Sequence, residues 1–334
     1  MSKKILWLVL SGLMVLSLVM AACGPATTPT TPITPTTPTT PTTPTTPTTP
    51  TTPTTPTTPT TPPATPTPTT PTTPTPTYTP SAPALPKIVW ATPSSPVTLT
   101  VDEVAHSATY TSGGVQVSGY FYKPSGTGPF PAVLVLHGKG GQNTSTRDRA
   151  SWFATQGYVA FAPDYFTPIG MTAEKFTVSF YKDNVDQTRE VLGNGLEALK
   201  SLSYVASGSL GVYGHSLGGY LSFILGTRND VKGIISCSGA YGTTVVRVRY
   251  SLDDICAEIK SPVLMFHCVP DTLVPIDQAN TASNLLKSNS KQYEYIVYQD
   301  GGHVFDIPGG PTYSATATAD FQQKMIAFFQ TKLQ

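Results

Sequence analysis

Ser216 is the residue with the clearest chemical potential in this sequence. It lies in the sequence GHSLGG at Gly214–Gly219, which directly follows the short apolar segment Leu210–Tyr213. The apolar segment Leu217–Leu225 begins at the residue after Ser216. A G-x-S-x-G sequence between a strand and a helix is typical of a nucleophile elbow, a sharp turn that exposes a serine hydroxyl. The flanking glycines let the neighbouring backbone pack closely against that turn. The alternative is a glycine-rich turn whose serine has no catalytic role.

A serine hydroxyl needs a base to accept its proton and a carboxylate to orient that base. In proteins with this elbow the order along the chain is serine, then acid, then histidine. Of the five histidines, His303 alone follows both the elbow and the last expected strand. The others are excluded by their positions within strands, in an early loop or beside the nucleophile: His106, His137, His215 and His267. We therefore predict that His303 is the base, the alternative being a histidine in a surface loop.

Asp271 is the predicted acid because it comes just after the apolar segment Pro262–Cys268, where a strand is expected to end. Asp277 is the nearest rival, but its position before a helical segment is better interpreted as the N-cap of that helix. Asp300 and Asp306 flank the histidine on the same loop and are expected to be solvated.

Two backbone N–H groups are expected to stabilise the oxyanion of a tetrahedral intermediate. One is the N–H of Leu217, the residue after the nucleophile. The other should come from His137–Gly141, a glycine-rich loop that follows an early strand. Lys139 is the predicted donor in this loop, with Gly138 or Gly140 as alternatives. Each such donor typically lowers the barrier by ~3 kcal/mol.

The substrate pocket is expected to be open and shallow. Its walls are predicted to include Tyr165 and Phe166, which follow an early buried strand, although plain packing explains the two rings equally well. The segment Ser238–Ser261 is too short to hold a large lid, which disfavours an interface-activated lipase. Arg247 and Arg249 are candidates for binding an acidic substrate, but their alternation with valine is more typical of an exposed strand edge.

Apolar segments of strand length alternate with helix-like segments after residue 98. Runs that are apolar throughout are typical of strands buried on both faces, so we predict an α/β fold with a mainly parallel sheet, helices on both faces and a minimal lid. The expected strands are Leu99–Thr111, Val115–Lys123, Ala132–His137, Tyr158–Pro163, Leu210–Tyr213, Val231–Cys237, Pro262–Cys268 and Tyr293–Tyr298. The expected helices are Thr146–Gln156, one within Asp183–Leu202, Leu217–Leu225, Leu252–Ile259, Asp277–Leu286 and a closing amphipathic helix that begins with Phe321–Phe329.

Proline divides the chain into two parts. Of 34 prolines in 334 residues, 24 lie at or before Pro96, and proline recurs at every third residue from Pro29 to Pro62. This spacing matches polyproline II, and such a composition buries too little apolar surface to fold. We predict a Thr/Pro-rich disordered stalk over residues 23–86, reaching roughly 190 Å if extended. A single folded α/β domain is expected over residues 87–334.

Residues 1–22 have the features of an export signal. Two lysines precede the apolar run Ile5–Met20, and two alanines come directly before Cys23. This arrangement is typical of a signal peptide. The cysteine after two alanines resembles the lipobox of bacterial lipoproteins, so Cys23 is expected to be lipidated and to anchor the protein to the outer face of the membrane or cell surface. The alternatives are ordinary signal cleavage and an uncleaved membrane helix.

Charge and composition exclude several classes of function. The formal net charge is +1, which provides no electrostatic footprint for nucleic acid. No metal-binding cluster is evident, and the serine chemistry described above requires no cofactor. Cys237, Cys256 and Cys268 remain once Cys23 is lipidated, and neither their pairing nor the oligomeric state can be predicted from the sequence.

Five segments in order resemble the dienelactone hydrolase family of α/β-hydrolases: Val117–Gly141, Tyr158–Tyr165, Gly214–Gly219, Asp271–Pro275 and Gly301–Phe305. The resemblance spans roughly residues 109 to 333 and implies an α/β-hydrolase fold. Family members with the namesake activity use a cysteine nucleophile and carry an early glutamate that manages the thiol. This chain has Ser216 and the sequence HGK at His137–Lys139 instead. The resemblance therefore implies a general serine esterase rather than a dienelactone-specific enzyme.

We accordingly predict a serine hydrolase that cleaves small or polymeric carboxylic esters through an acyl-enzyme, with Ser216, Asp271 and His303 as its triad. The elbow also resembles that of bacterial cutinase-like polyester hydrolases, which is one alternative. A non-catalytic, hydrolase-like surface binding module is the other. Degenerate members of that kind usually lack triad residues, whereas all three are present here.

Overall fold

The computed structural model describes residues 88–177, 183–242 and 250–334. The chain divides into two units, Met1–Thr77 and Tyr78–Gln334, and all the described residues belong to the second. Within them, no helix combines the length and the apolar character that crossing a bilayer requires.

Several sequence predictions fall outside the described residues. They are the signal peptide, the stalk, the lipidation of Cys23 and the acidic-substrate site at Arg247 and Arg249. The three remaining thiols are described. Cys237, Cys256 and Cys268 are buried and free, so none of them forms a disulfide with another.

The described residues contain a nine-stranded sheet. Its strands are β1 (Thr100–Asp102), β2 (Ser107–Ser112), β3 (Val115–Tyr122), β4 (Phe130–Leu136), β5 (Val159–Pro163), β6 (Val205–His215), β7 (Val231–Cys237), β8 (Val263–Cys268) and β9 (Tyr293–Tyr298). Their order is β1-β2-β3-β5-β4-β6-β7-β8-β9. The pairs from β5 to β9 are parallel, whereas β1, β2 and β3 pair antiparallel. The predicted mainly parallel sheet is confirmed.

Six α-helices cover this sheet in the described residues, and a short 3-10 helix spans Thr167–Ile169. They are α1 (Thr144–Thr155), α2 (Val185–Lys200), α3 (Leu217–Leu225), α4 (Leu252–Glu258), α5 (Ile276–Ser288) and α6 (Ala315–Lys332). Helices α1 and α6 contribute to one apolar cluster, and the other four contribute to a second. The sheet therefore has helices on both faces, which confirms the predicted α/β-hydrolase architecture.

Strand β4 illustrates why an apolar run becomes a central strand. Successive side chains of a strand point to opposite faces. Val133 and Val135 join the cluster under α1 and α6, whereas Leu134 and Leu136 join the cluster on the other face. Because both faces are covered, every position must be apolar, and an alternating pattern would leave polar groups buried.

Several element boundaries differ from the prediction. Strand β6 begins at Val205 instead of Leu210, and α6 begins at Ala315 instead of Phe321. The segment expected to form one strand, Leu99–Thr111, forms β1 and β2 with a turn between them. Asp102 Oδ1 accepts hydrogen bonds from the N–H groups of Val104 and Ala105, which bends the chain there. Asp277 lies in the first turn of α5 and is not its N-cap, because the helix already begins at Ile276.

The two glycines inside α2 allow close packing. A Cβ atom at Gly193 would lie 2.9 Å from Cζ3 of Trp90, and a Cβ atom at Gly195 would lie 3.2 Å from the hydroxyl of Tyr110. Larger side chains at either position would push these rings away from the helix. The entropic cost of glycine in a helix is thus offset by contact area.

The first described residues form an N-terminal strap (residues 88–90) that is fixed to the domain. The guanidinium groups of Arg189 and Arg228 lie over the Trp90 ring, at 5.1 and 5.0 Å from its centroid. Its indole N–H donates to Thr227 Oγ1 at 2.9 Å. These cation–π contacts and the hydrogen bond hold the indole in one orientation.

The strap enters the domain at the edge of the sheet that is remote from Ser216. Helix α3 begins directly after Ser216, and Thr227 comes just past its other end. The N–H of Ile88 donates to Glu258 Oε2 in the last turn of α4, close to where β8 begins. Both contacts therefore lie at the edge where the parallel strands start.

The strand order reverses at β4, since β5 lies on one side of it and β6 on the other. In open α/β sheets, such a switch point opens a crevice beyond the carboxyl ends of the two strands. The loop after β4 begins at His137, and the turn after β6 holds Ser216. The topology thus places the predicted oxyanion loop next to the predicted nucleophile.

Candidate active site

Ser216 occupies a strained turn between β6 and α3. Its backbone has φ 57° and ψ −115°, a region that side-chain-bearing residues rarely adopt. The surrounding glycines make the turn possible. A Cβ atom at Gly214 would lie 1.9 Å from the carbonyl oxygen of Gly218, and one at Gly218 would lie 2.4 Å from that of Leu136. The segment therefore has the backbone geometry of a nucleophile elbow.

His303 and Asp271 are hydrogen-bonded to each other. His303 Nδ1 lies 2.8 Å from Asp271 Oδ2, and the other carboxylate oxygen accepts from the N–H groups of Leu273 and Val274 at 2.9 Å each. Burial opposes the charge of Asp271, but these hydrogen bonds and the neighbouring imidazoles hold its pKa below the usual value. The ionised carboxylate then keeps the proton of His303 on Nδ1, which leaves Nε2 as the proton acceptor.

Ser216 and His303 line the same cavity, which has a volume of about 240 Å³. The oxyanion loop also lines it, through residues 137–140, as do the first turns of α1 and the residues just after His303. The structure thus brings together the predicted nucleophile, base, acid and oxyanion loop, which lie far apart along the chain.

The peptide between Gly138 and Lys139 is held in one orientation. Its carbonyl oxygen accepts from His137 Nδ1 at 2.8 Å and from the N–H of Gly141 at 3.1 Å. In a planar trans peptide the N–H points away from the carbonyl, so the N–H of Lys139 is directed away from this anchored side. Leu217 is the first residue of α3, and its N–H has no acceptor within the helix.

His137 supports this loop as a neutral, buried side chain. Burial lowers its pKa to about 4. Because the ring is neutral, the proton must lie on Nδ1 for it to donate to Gly138. The ring stacks on Tyr165 at a centroid distance of 3.8 Å, and the Tyr165 hydroxyl donates to the His137 carbonyl at 2.5 Å. Phe166 meets the same ring edge-on at 4.7 Å.

The structure thus places Tyr165 and Phe166 beneath the oxyanion loop rather than in the wall of the described cavity. Their side chains are 0% and 2% exposed. The plain-packing alternative describes their surroundings better than a pocket wall does. Sequence reasoning missed this arrangement because the stack on His137 joins residues that lie 28 positions apart.

His215, which was excluded as the base, contacts the predicted base directly. Its Nε2 lies 2.8 Å from the carbonyl oxygen of His303, so Nε2 must donate, and the two rings are 4.9 Å apart at their centroids. Burial, and secondarily the nearby His303, lower the pKa of His215. A neutral ring with its proton on Nε2 therefore fixes the backbone that carries His303.

His267 lies behind the acid. Its ring is fully buried, and Nε2 lies 2.8 Å from the carbonyl oxygen of Val274 and 3.4 Å from Asp271 Oδ2. Burial lowers the pKa of His267, so the ring is neutral at pH 7. It anchors the turn that presents Asp271 to His303.

Of the two aspartates that flank His303, Asp300 is exposed, as predicted, whereas Asp306 is not. Asp300 accepts a hydrogen bond from Ser314 Oγ at 2.5 Å. Asp306 forms an ion pair with Arg149 of α1, and both side chains are only 10% exposed. Burial opposes the charge of Arg149, but the negative groups around it, including Asp306, keep its pKa above the usual value. Both aspartates therefore fix the loop that carries His303.

The comparisons with known proteins agree with this geometry. The model of the dienelactone hydrolase family matches residues 117–333. A Synechocystis sp. protein that bears the provisional name carboxymethylenebutenolidase is 27% identical over 256 residues, which cover 70% of this chain and 100% of that protein.

Solved structures show the same fold. A Klebsiella pneumoniae protein provisionally named a dienelactone hydrolase has a TM-score of 0.59 at 23% identity, covering 67% of this chain and 98% of its own. P91, a dienelactone hydrolase-like promiscuous phosphotriesterase from metagenomic libraries, has a TM-score of 0.58 at 21% identity, covering 72% and 100%. The family model spans well over half of the sequence. The chain is therefore an enzyme of the dienelactone hydrolase family of α/β-hydrolases.

Proposed function

We propose that this enzyme is a serine esterase with Ser216, His303 and Asp271 as its catalytic triad. The observation that carries the proposal is the hydrogen bond between His303 Nδ1 and Asp271, with His303 and the strained Ser216 lining one cavity. This is the arrangement in which an imidazole takes the proton of a serine hydroxyl.

The reaction has two balanced steps. Ser216 Oγ attacks the acyl carbon while its proton moves to His303 Nε2, and the N–H groups of Lys139 and Leu217 stabilise the oxyanion. The ester C–O bond breaks, and His303 gives the proton to the departing alcohol. Water then attacks the acyl-enzyme with His303 as the base again, which releases the acid and restores the serine. The mechanism needs no cofactor.

A fluorophosphonate probe tests this proposal. The wild-type enzyme is expected to be labelled at a single serine, Ser216, and to hydrolyse a series of p-nitrophenyl esters of increasing acyl length. Mass spectrometry of the labelled peptide and initial rates measure the two results. A binding module with a hydrolase fold would take up no label and release no p-nitrophenol above the buffer rate.

Polymeric esters are a second candidate substrate. Leu273 and Val269, on either side of Asp271, are 64% and 44% exposed, so both present apolar surface beside the candidate acid. An apolar rim beside the acid would favour contact with a hydrophobic chain. A solid polyester film added to the ester series tests this, since release of soluble acid from the film requires productive contact with its surface.

His215 is expected to position the base. The variant His215→Leu removes the hydrogen bond to the His303 carbonyl and should lower kcat about 10- to 100-fold with a smaller change in KM, because the base is misplaced by a fraction of an ångström. His215→Gln keeps an N–H donor at nearly the same reach and should recover most of kcat. Steady-state kinetics with a p-nitrophenyl ester measures both. Equal losses in the two variants would show that ring packing, not the hydrogen bond, matters.

We also propose that the enzyme is a lipoprotein held outside the cell by Cys23 and the Thr/Pro-rich stalk. The signal-like residues 1–22 and the cysteine after two alanines support this. Lipid chains contribute about 0.8 kcal/mol per buried methylene, which suffices for stable anchoring when several chains are attached. Detergent phase partitioning tests the proposal: the wild-type protein should enter the detergent phase, and Cys23→Ser should not.

A further inference from the structure

The active-site cavity has a charged inner wall that the proposed reaction does not use. Arg149 of α1 and Asp306 line the cavity together with Tyr213 of β6. Tyr213 lies near the end of β6, three residues before Ser216, so this wall is on the order of 10 Å from the nucleophile. It is within reach of a substituent on an ester bound at Ser216.

The guanidinium of Arg149 is fixed in place. It lies 5.1 to 5.4 Å from the ring centroids of Trp152, Tyr213 and Phe321, and its Nη2 is bonded to Asp306 Oδ2. The side chain is only 10% exposed. A rigid, desolvated group of this kind selects among ligands more strongly than a mobile surface arginine does.

This wall offers both donors and an acceptor. An arginine has five N–H donors, and a carboxylate accepts several hydrogen bonds. Within the described ranges, the bond between Nη2 and Oδ2 joins the two side chains, and neither side chain has another hydrogen-bond partner. None of their polar atoms is both fully buried and unpartnered. Nε and Nη1 of Arg149 and Oδ1 of Asp306 are therefore at least partly accessible, and both residues line the cavity.

We infer that this inner wall binds an uncharged, hydroxylated group of the substrate, such as a polyol or a sugar ring. A hydroxyl can accept from Arg149 and donate to Asp306 at the same time. A hydrocarbon would leave these donors without partners, a carboxylate would be repelled by Asp306, and a cation would be repelled by Arg149. The inference rests on the proposed ester hydrolysis, because it assigns one part of that ester.

Two matched pairs of esters test the inference, one for each side of the ester bond. On the acyl side, p-nitrophenyl 6-hydroxyhexanoate is compared with p-nitrophenyl hexanoate. On the alcohol side, methyl 6-O-acetylglucoside is compared with cyclohexylmethyl acetate. The hydroxylated member should have a kcat/KM about tenfold or more higher in at least one pair, since a site built for hydroxyls rejects analogues that lack them. No preference in either pair overturns the inference.

Two variants then attribute the preference to the wall. In the ester pair that shows the preference, Arg149→Met should bring the ratio of the two kcat/KM values close to one. Arg147→Met should leave that ratio unchanged, since Arg147 is an exposed residue of the same helix that pairs with Asp148.

Asp306→Asn removes the charge that repels carboxylates, so this variant should hydrolyse the carboxylated analogue of the same ester faster than the wild type does. The analogue is p-nitrophenyl hydrogen adipate on the acyl side or 4-(acetoxymethyl)cyclohexanecarboxylate on the alcohol side. If Arg149→Met fails to fold, Asp306→Asn decides. A preference that survives these substitutions, with no gain on the carboxylate, overturns the inference.

Binding without turnover separates this inference from the proposed function. Saturation-transfer NMR with methyl glucoside should give a signal in the wild-type enzyme and a much weaker one in Arg149→Met. If no ester is hydrolysed but this signal is present, the proposed function is wrong and the hydroxyl site stands. If esters are hydrolysed but there is neither a saturation-transfer signal nor a preference for hydroxylated esters, the proposed esterase function stands and the hydroxyl site is wrong.

Discussion

Ser216→Ala is expected to lower kcat for ester hydrolysis by about 10⁵- to 10⁶-fold, the loss typical of removing the nucleophile of a serine hydrolase. The hydroxyl is the atom that forms the acyl-enzyme, and no neighbouring group in the elbow can replace it. Initial rates with a p-nitrophenyl ester measure the loss, and fluorophosphonate labelling should disappear at the same time.

The control for this variant is Ser288→Ala, which removes an exposed hydroxyl at the end of α5 that is bonded only to its own helix. It should keep full rate and full labelling. Ser216→Ala should also melt cooperatively, which excludes loss of the fold as the cause. An esterase rate that survives in Ser216→Ala means that another residue is the nucleophile.

Asp271→Asn is expected to lower kcat about 10⁴-fold while leaving the protein folded. The amide can still accept from the N–H groups of Leu273 and Val274, as Oδ1 of Asp271 does. Facing His303, however, its NH₂ donates to Nδ1 and forces the imidazole proton onto Nε2, where it blocks proton transfer from Ser216. Initial rates with a p-nitrophenyl ester measure the effect.

Asp277→Asn is the matched control, since Asp277 was the rival acid and lies exposed in the first turn of α5. It should change kcat by less than about twofold. Should Asp277→Asn prove inactive and Asp271→Asn active, the acid has been assigned to the wrong residue.

Local patterns were sufficient to predict most elements of the fold and to select the candidate site residues that the structure brings together. The nucleophile elbow is formed by residues adjacent in sequence, so its glycines can be recognised from the local pattern alone. In the structure, backbone atoms lie within 2.4 Å of where Cβ atoms of Gly214 and Gly218 would be. His303 and Asp271 could be selected because chain order and strand ends leave few candidates. Continuous apolar runs fixed the central strands for a similar reason, since both faces of the sheet are buried.

The contacts that surround these residues could not be predicted in the same way. The bond from His215 to the His303 carbonyl joins residues 88 positions apart, and the pair of Arg149 with Asp306 joins residues 157 positions apart. Nothing in the neighbouring sequence distinguishes a solvated aspartate from one that meets an arginine across the fold. Because the pairing of Asp306 with Arg149 makes the inner wall of the cavity polar, the polarity of that wall could be recognised only from the structure.

The N-terminal strap has a mechanical consequence. A pull on the chain ahead of residue 88 would act first on the contacts of Trp90 with two arginines and on the hydrogen bond from Ile88 to Glu258. These contacts lie at the edge where the parallel strands begin. The loops that hold Ser216 and His303 lie at the opposite edge and would not transmit that force. A pull applied at the strap would therefore load the edge of the sheet that does not carry the candidate active site.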